Sequence, residues 1–131
     1  MVMEIYFEGS KKVNARYNGN IIRTDQPVEA GGEGSAPAPF DLFLASIGTC
    51  AGIYVKAFCD QRGINSDEIR ITQDMEYDFS KRLISRVKLD IHLPAGFPEK
   101  YKDAVINAAN LCAVKKHLVH APELEVTSAI G

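Results

Sequence analysis

The chain has 131 residues, of which 46% are hydrophobic and 24% are charged, and its formal net charge is −2. This length and composition predict one globular domain over residues 1–131 with a hydrophobic core. The charge balance argues against a basic surface for nucleic acid or anionic lipid. The N-terminal residues lack the charged-then-apolar pattern of a signal peptide, so the sequence predicts a cytoplasmic protein.

The chain has too few cysteines and histidines for a fold held by disulfides or by a structural metal ion. There are three cysteines without a CxxC motif and three histidines, which argues against a disulfide framework and a zinc site. No cofactor is predicted. The longest uncharged apolar run, Leu42–Val55, has 14 residues, whereas a bilayer requires ~20. This run therefore predicts a buried core helix and no membrane partner.

The first third of the chain alternates apolar and polar residues with a period of two, which is typical of half-buried strands. The apolar positions are Met3, Ile5 and Phe7, followed at the same parity by Val13, Ala15 and Tyr17. Asn18–Asn20 is a strong turn signal, and Ile21–Arg23 begins a third strand. A curled three-stranded meander is predicted.

A loop and then a long helix follow the meander. The segment Pro27–Pro39 is rich in glycine, alanine and proline, which predicts a loop, and it carries no phosphate-binding motif. Pro39 opens a helix that runs to about Arg62 and is closed by Gly63. The middle of this helix has almost no polar face, and such a helix must be buried on all sides. One chain of this size covers it poorly, so a second subunit is predicted.

The second half of the chain predicts an antiparallel hairpin with one buried face. Its apolar positions are Ile69, Ile71, Met75, Tyr77 and Phe79, then Leu83, Val87, Leu89, Ile91 and Leu93. Pro98 starts another helix that breaks at Asn110, and a short helix runs from Cys112 to His120. A final strand carries Leu124, Val126 and Ile130. The predicted fold class is α+β.

Cys50 is the cysteine with the most unusual surroundings. It lies in the middle of the long helix between Gly48 and Gly52, and each glycine costs the helix about 1 kcal/mol relative to alanine. The two glycines indicate either close helix packing or space for a ligand near the sulfur. Cys59 comes nine residues later on the opposite helix face, and we interpret it as a bystander.

Cys112 has two interpretations that its spacing leaves open. It precedes a basic run, Lys115 to His117, and if a short helix starts at Cys112, the local N–H groups and cations favour a thiolate. Alternatively, Cys112 fills the apolar stripe that begins at Tyr101.

The sequence resembles the OsmC/Ohr family of osmotically inducible and organic hydroperoxide resistance proteins. The matching segments are Thr24–Pro27, Gly31–Gly32, Pro39–Leu42, Gly48–Cys50 and Cys112–Leu118. The resemblance covers nearly the whole chain and implies an OsmC-like fold and an intertwined homodimer whose two central helices pack together. It also implies a thiol peroxidase, in which Cys50 attacks a hydroperoxide and Cys112 resolves the sulfenic acid as a disulfide. An external dithiol reduces that disulfide.

The chain departs from the peroxidase branch of that family at two positions. In that branch an arginine of the first hairpin pairs with the thiolate and with a glutamate directly after the proline. Here Ser10 occupies the arginine position, and the basic candidates nearby are Lys11, Arg16 and Arg23. The acid is Asp41, one residue late and ~13 Å along the helix axis from Cys50, so it could serve only a site assembled across chains. The other interpretation of Asp41 is a first-turn acid that favours the helix dipole.

These departures favour the uncharacterised OsmC-like branch, and without a fixed cation an apolar setting is expected to raise the pKa of Cys50. The leading hypothesis is a thiol-dependent organic hydroperoxide reductase in oxidative-stress defence. Its candidate catalytic residues are Cys50, Cys112, Asp41, Arg16 and Lys11. The alternative is a non-catalytic dimer that binds an apolar small molecule in the interface cleft.

Overall fold

A computed structural model describes all 131 residues, which form two compact units, Met1–Ala45 and Ser46–Gly131. The first unit contains a three-stranded antiparallel sheet in the order β1-β2-β3. Its strands are β1 (Glu4–Gly9), β2 (Lys12–Tyr17) and β3 (Asn20–Ile22). The predicted meander is therefore confirmed, and Asn18 and Gly19 turn the chain between β2 and β3 at positive φ. The single-domain organisation of residues 1–131 stays a prediction.

A buried carboxylate holds the loop that follows β3. Asp25 is 0% exposed, and its oxygens accept the backbone N–H groups of Gln26 at 2.7 Å, Ser35 at 3.1 Å and Glu33 at 3.3 Å. The Ser35 hydroxyl donates a fourth hydrogen bond at 2.6 Å and is the largest cause of the lowering of the Asp25 pKa to about 2. A Cβ at Gly32 would overlap the Gln26 carbonyl oxygen. Apart from a 3-10 turn at Val28–Ala30, the loop has no regular secondary structure, as predicted, and these bonds fix its path.

Acid is expected to weaken this loop. The folded pKa of Asp25 is about 2, below its ordinary value of 3.8. Its contribution to stability is therefore complete above about pH 4 and is lost as the pH falls towards 2. Urea unfolding of the wild type and of Asp25→Asn at about pH 6 and about pH 3 measures this contribution. We expect the variant to be less stable at the higher pH and to lose less stability on acidification; equal losses would contradict this assignment.

Helix α1 (Pro39–Gln61) begins in the first unit and continues in the second. It ends just before Gly63, whose φ of 62° is the left-handed conformation found after many helix ends. The remaining elements are the antiparallel strands β4 (Arg70–Asp78) and β5 (Leu83–His92), a 3-10 turn (Glu99–Tyr101), and helices α2 (Lys102–Asn110) and α3 (Ala113–Val119). The predicted hairpin and the predicted helix break at Asn110 are confirmed.

The core of the second unit forms between α1 and α2. Val55, Phe58 and Cys59 of α1 are buried against Val105 of α2, and half-buried side chains of the hairpin, such as Ile71, pack around them. The guanidinium carbon of Arg62 lies 3.7 Å from the centroid of the Phe58 ring, so the residue directly after α1 also covers this core.

Much of α1 is exposed in the single chain, and its complete burial by a second subunit stays a prediction. Its buried residues are Ala51, Val55, Phe58 and Cys59. Only 28% of its most apolar stretch is buried, and by length and a mean hydropathy of 1.6 the helix is long and apolar enough to cross a membrane, so the absence of a membrane partner stays a prediction. The physical reason for the exposure is that the other elements of the second unit pack on only part of the helix surface.

Apolar side chains of both sheets are also exposed. On β1 the predicted inward positions Ile5 and Phe7 are 57% and 85% exposed. At the end of the hairpin, Tyr77 and Phe79 are 47% and 83% exposed, with their ring centroids 4.9 Å apart. The alternating pattern predicted these strands, but one chain covers their apolar faces only in part.

The predicted C-terminal strand is absent. Residues 121–131 have no regular secondary structure, and Leu124, Val126 and Ile130 are 89%, 96% and 107% exposed. A strand exists only when a neighbouring strand pairs with its backbone, and the two sheets contain β1 to β5 alone. The alternation of apolar residues is therefore not sufficient here.

Candidate functional site

The candidate site lies where α1 passes the N-terminus of α3, and Cys112 occupies the N-cap position there. Its backbone is extended, with φ −60° and ψ 140°, and its sulfur accepts the backbone N–H of Lys115 at 3.2 Å. This is the bond that serine or aspartate ordinarily makes at a helix start. Cys112 is 2% exposed, so it both starts the helix and fills buried space.

Cys50 projects from α1 toward the same helix start. The N–H groups of Val114 and Ala113 donate hydrogen bonds to its sulfur, and the Cys112 thiol donates another. These bonds lower the pKa of Cys50, with the Val114 N–H the largest cause, although burial acts in the opposite direction. The expectation of a raised pKa is therefore wrong, because backbone donors supply the stabilisation that a cation was expected to give.

This arrangement can perform two-step thiol chemistry. N–H donors at a helix start favour the thiolate, which is the nucleophilic form of a cysteine. A second thiol within hydrogen-bonding contact can then condense with an oxidised sulfur. Cys59 is not suited to this chemistry. It is 0% exposed in the core, and burial is the largest cause of its raised pKa.

The glycines that flank Cys50 face strand β4. A Cβ at Gly48 would lie 2.5 Å from Oε1 of Gln73, and a Cβ at Gly52 would lie 3.8 Å from Cδ1 of Ile71. Of the two interpretations of this glycine pair, the structure shows close packing of α1 on the hairpin at Gly48, whereas a Cβ at Gly52 would make only an ordinary van der Waals contact.

A cavity of about 440 Å³ opens beside Cys112. Its walls come from α1, β5, α2 and α3 and are mostly apolar, namely Ile47, Ala51, Val87, Leu89, Ile91, Ile106, Ala109 and Leu118. Asp90, Asn110 and Lys115 add polar groups. The volume and the apolar lining suit a small organic molecule that reaches a sulfur of the site.

The other candidate residues lie in the first unit, and the basic ones contact neighbours there. Arg16 pairs with Glu4 at 3.0 Å and lies over the Tyr6 ring, and Arg23 pairs with Glu8 at 3.3 Å. The side chain of Lys11 lies beside Gly31. Asp41 is exposed in the first turn of α1, where a carboxylate favours the helix dipole. The structure brings Cys50 and Cys112 together, and the donors to Cys50 come from Ala113, Val114 and Cys112.

Comparison with known proteins agrees with this fold. Residues 32–127 match the OsmC-like protein family. The chain belongs to the OsmC-like family. No curated protein matches it.

Solved structures share the OsmC-like fold at low sequence identity. A protein from Psychrobacter arcticus, described as an osmotic stress induced and detoxification response protein, is 23% identical with a TM-score of 0.73, over 88% of this chain and 86% of that one. An organic hydroperoxide resistance protein from Legionella pneumophila is 18% identical with a TM-score of 0.55, over 89% and 87%. An OsmC-like protein of unknown function from Vibrio cholerae is 8% identical with a TM-score of 0.63, over 88% and 90%. These similarities confirm the α+β fold with its antiparallel strands and long central helix.

Proposed function

We propose that this OsmC-like protein is a thiol-dependent organic hydroperoxide reductase that acts in cytoplasmic oxidative-stress defence. The observation that carries the proposal is the position of the Cys50 sulfur, which accepts the N–H groups of Val114 and Ala113 and the thiol of Cys112. These donors favour the thiolate, which is the form that attacks a peroxide. The organic hydroperoxide resistance protein of the same fold supports the proposal.

The proposed cycle uses the two cysteines in order. The Cys50 thiolate attacks the distal oxygen of a hydroperoxide ROOH, the O–O bond breaks, the alcohol ROH leaves with a proton from solvent, and Cys50 becomes a sulfenic acid. The Cys112 sulfur then attacks the Cys50 sulfur, so that a disulfide forms and water leaves. An external dithiol restores both thiols by two exchange steps and becomes a disulfide itself. No cofactor takes part.

The cavity beside Cys112 favours an organic hydroperoxide over hydrogen peroxide. Its volume of about 440 Å³ and its apolar walls can hold the carbon chain of a substrate. Burial of that chain contributes about 25 cal/mol per Å² of apolar surface, which hydrogen peroxide does not have. We therefore expect the apparent KM to fall as the organic group grows, until the cavity is filled.

The proposal includes a homodimer. Exposed apolar side chains occur together on α1, on β1 and on the β4–β5 hairpin. Extensive apolar patches of this kind mark interaction sites. One face of α1 packs on β4, where the amide of Gln73 lies against Gly48, and this polar contact suits a protein interior better than lipid. A second copy of the chain is the partner that we propose for these surfaces. Lys11, Arg16 and Asp41 stay candidate catalytic residues of that assembly.

Mass spectrometry of the two cysteines after one turnover tests the proposed chemistry. Reduced protein is mixed with one equivalent of cumene hydroperoxide, and peptides that contain Cys50 and Cys112 are analysed. We expect a disulfide in the wild type, and in Cys112→Ser a sulfenic acid on Cys50 that dimedone traps. Thiols that stay reduced, or oxidation confined to Cys59, would contradict the proposal.

The cavity also supports the second candidate, a non-catalytic protein that binds an apolar small molecule. In that case Cys50 needs no activation, and its pKa would lie at or above the ordinary ~8.5. The lowered pKa of Cys50 favours the reductase. Titration of the Cys50 thiol by its alkylation rate against pH distinguishes the two functions.

A further inference from the structure

Helix α3 has little to stabilise it apart from its first turn. It has seven residues, Ala113–Val119, and all of them are exposed except the half-buried Val114. Helices much shorter than ~12 residues are not stable by themselves in water. The hydrogen bonds at its N-terminus therefore decide whether α3 forms.

The two sulfurs of the site supply those hydrogen bonds. The first N–H groups of a helix have no acceptor within the helix. In α3 the N–H of Lys115 donates to the Cys112 sulfur at 3.2 Å, and those of Ala113 and Val114 are the backbone donors that lower the pKa of Cys50. The start of α3 is thus held by the same two atoms that the proposed reaction oxidises.

We propose that α3 is a redox-sensitive helix that unwinds when the Cys50–Cys112 disulfide forms, an inference that rests on the proposed function. The sulfurs must move from hydrogen-bonding contact to a bond length of ~2.05 Å, which draws Cys112 away from Lys115. The Cys50 sulfur also changes from a thiolate to a neutral disulfide atom, which is a weaker hydrogen-bond acceptor. Three N–H groups lose their acceptors together.

Unwinding widens access to the disulfide in the catalytic cycle. Cys112 is 2% exposed when α3 is folded, so an external dithiol reaches the disulfide only from the side of the half-buried Cys50. Lys115 and Leu118 of α3 form part of the cavity wall beside it. When α3 unwinds, these side chains leave the wall and the disulfide becomes more accessible. Reduction restores both acceptors, and α3 forms again around the reduced site.

Hydrogen exchange of the reduced and the oxidised protein tests this inference. Diamide takes one hydrogen from each thiol and becomes the hydrazine, so the disulfide forms without any hydroperoxide, and mass spectrometry confirms the bond. In the oxidised protein we expect the amides of residues 115–119 to exchange at least about tenfold faster, while the β4–β5 amides keep their protection. Dithiothreitol is expected to restore the original exchange rates.

The matched control is Cys112→Ser, in which a hydroxyl keeps the N-cap but no disulfide can form, so diamide is expected to change nothing. The comparison of the reduced and the oxidised wild type tests the inference even if this variant does not fold. Unchanged exchange in a protein with the disulfide, or failure of the disulfide to form, would overturn the inference. A protein that shows the change in α3 but consumes no hydroperoxide would overturn the proposed function alone, and a reductase with unchanged α3 would overturn the inference alone.

Discussion

Hydroperoxide consumption is expected to fall at least about 1000-fold when Cys50 is replaced by serine. A serine hydroxyl stays protonated at neutral pH and lacks the polarisable sulfur that attacks the O–O bond. The N–H groups of Val114 and Ala113 still reach the side chain, so the site keeps its donors and loses only its nucleophile. The measurement is the steady-state loss of cumene hydroperoxide with dithiothreitol as the electron donor.

Two further cysteine variants make this result specific. Cys59→Ala removes the core thiol and is expected to keep the rate within about twofold. Cys112→Ser is expected to keep the first turnover and to slow later ones, because the dithiol must then reduce the sulfenic acid directly. If Cys50→Ser kept more than about a tenth of the wild-type rate, Cys50 would not be the peroxidatic residue.

The second prediction concerns the backbone donors of α3. Ala113→Pro removes one N–H from Cys50 and is expected to raise the pKa of Cys50, with alkylation about fivefold slower at pH values below that pKa. Proline is compatible with the first position of a helix, and Cys112 before it has ψ 140°, the extended conformation that a following proline requires. The Val114 N–H is the largest cause of the lowered pKa of Cys50, but a proline at position 114 would force Ala113 out of its helical conformation.

The rate of iodoacetamide alkylation against pH measures this shift, and circular dichroism checks that the helices are kept. Ala113→Ser is the control, because it changes the side chain and keeps the N–H, and we expect its profile to match the wild type. The same midpoint in Ala113→Pro and in the wild type would show that α3 does not activate Cys50.

The sequence alone was sufficient to predict the helices whose ends are marked by local signals. Pro39 and Gly63 mark the two ends of α1, since proline suits a first helical turn and glycine suits the left-handed conformation after the last. The break at Asn110 likewise predicted that a new helix starts near Cys112. These signals depend on neighbours along the chain and need no knowledge of the tertiary structure.

The activation of Cys50 could not be predicted in the same way. Its donors, Ala113 and Val114, follow it by more than sixty positions, and they act through backbone N–H groups that every residue except proline has. From the sequence, the N–H groups of α3 were expected to serve Cys112 alone, and the expected partner of Cys50 was a cationic side chain. Only the approach of α1 to α3 shows that one helix start serves both sulfurs.

Patterns of burial were predicted less well than elements, for a related reason. The alternation in β1 and in residues 121–131 identifies side chains that favour burial, but it does not say which surface buries them. Phe7 and Val126 are 85% and 96% exposed in one chain. A period-two pattern indicates a strand only where a partner strand is available.

The loop held by Asp25 has a consequence for how this region can change in evolution or by design. Ordinary surface loops tolerate insertions and deletions because few contacts fix their paths. Here one carboxylate binds the backbone at Gln26, Glu33 and Ser35, so adding or removing a residue between these positions moves a donor out of reach. Exposed side chains in the loop, such as Glu29, can vary freely. The length of the segment from 26 to 35 cannot.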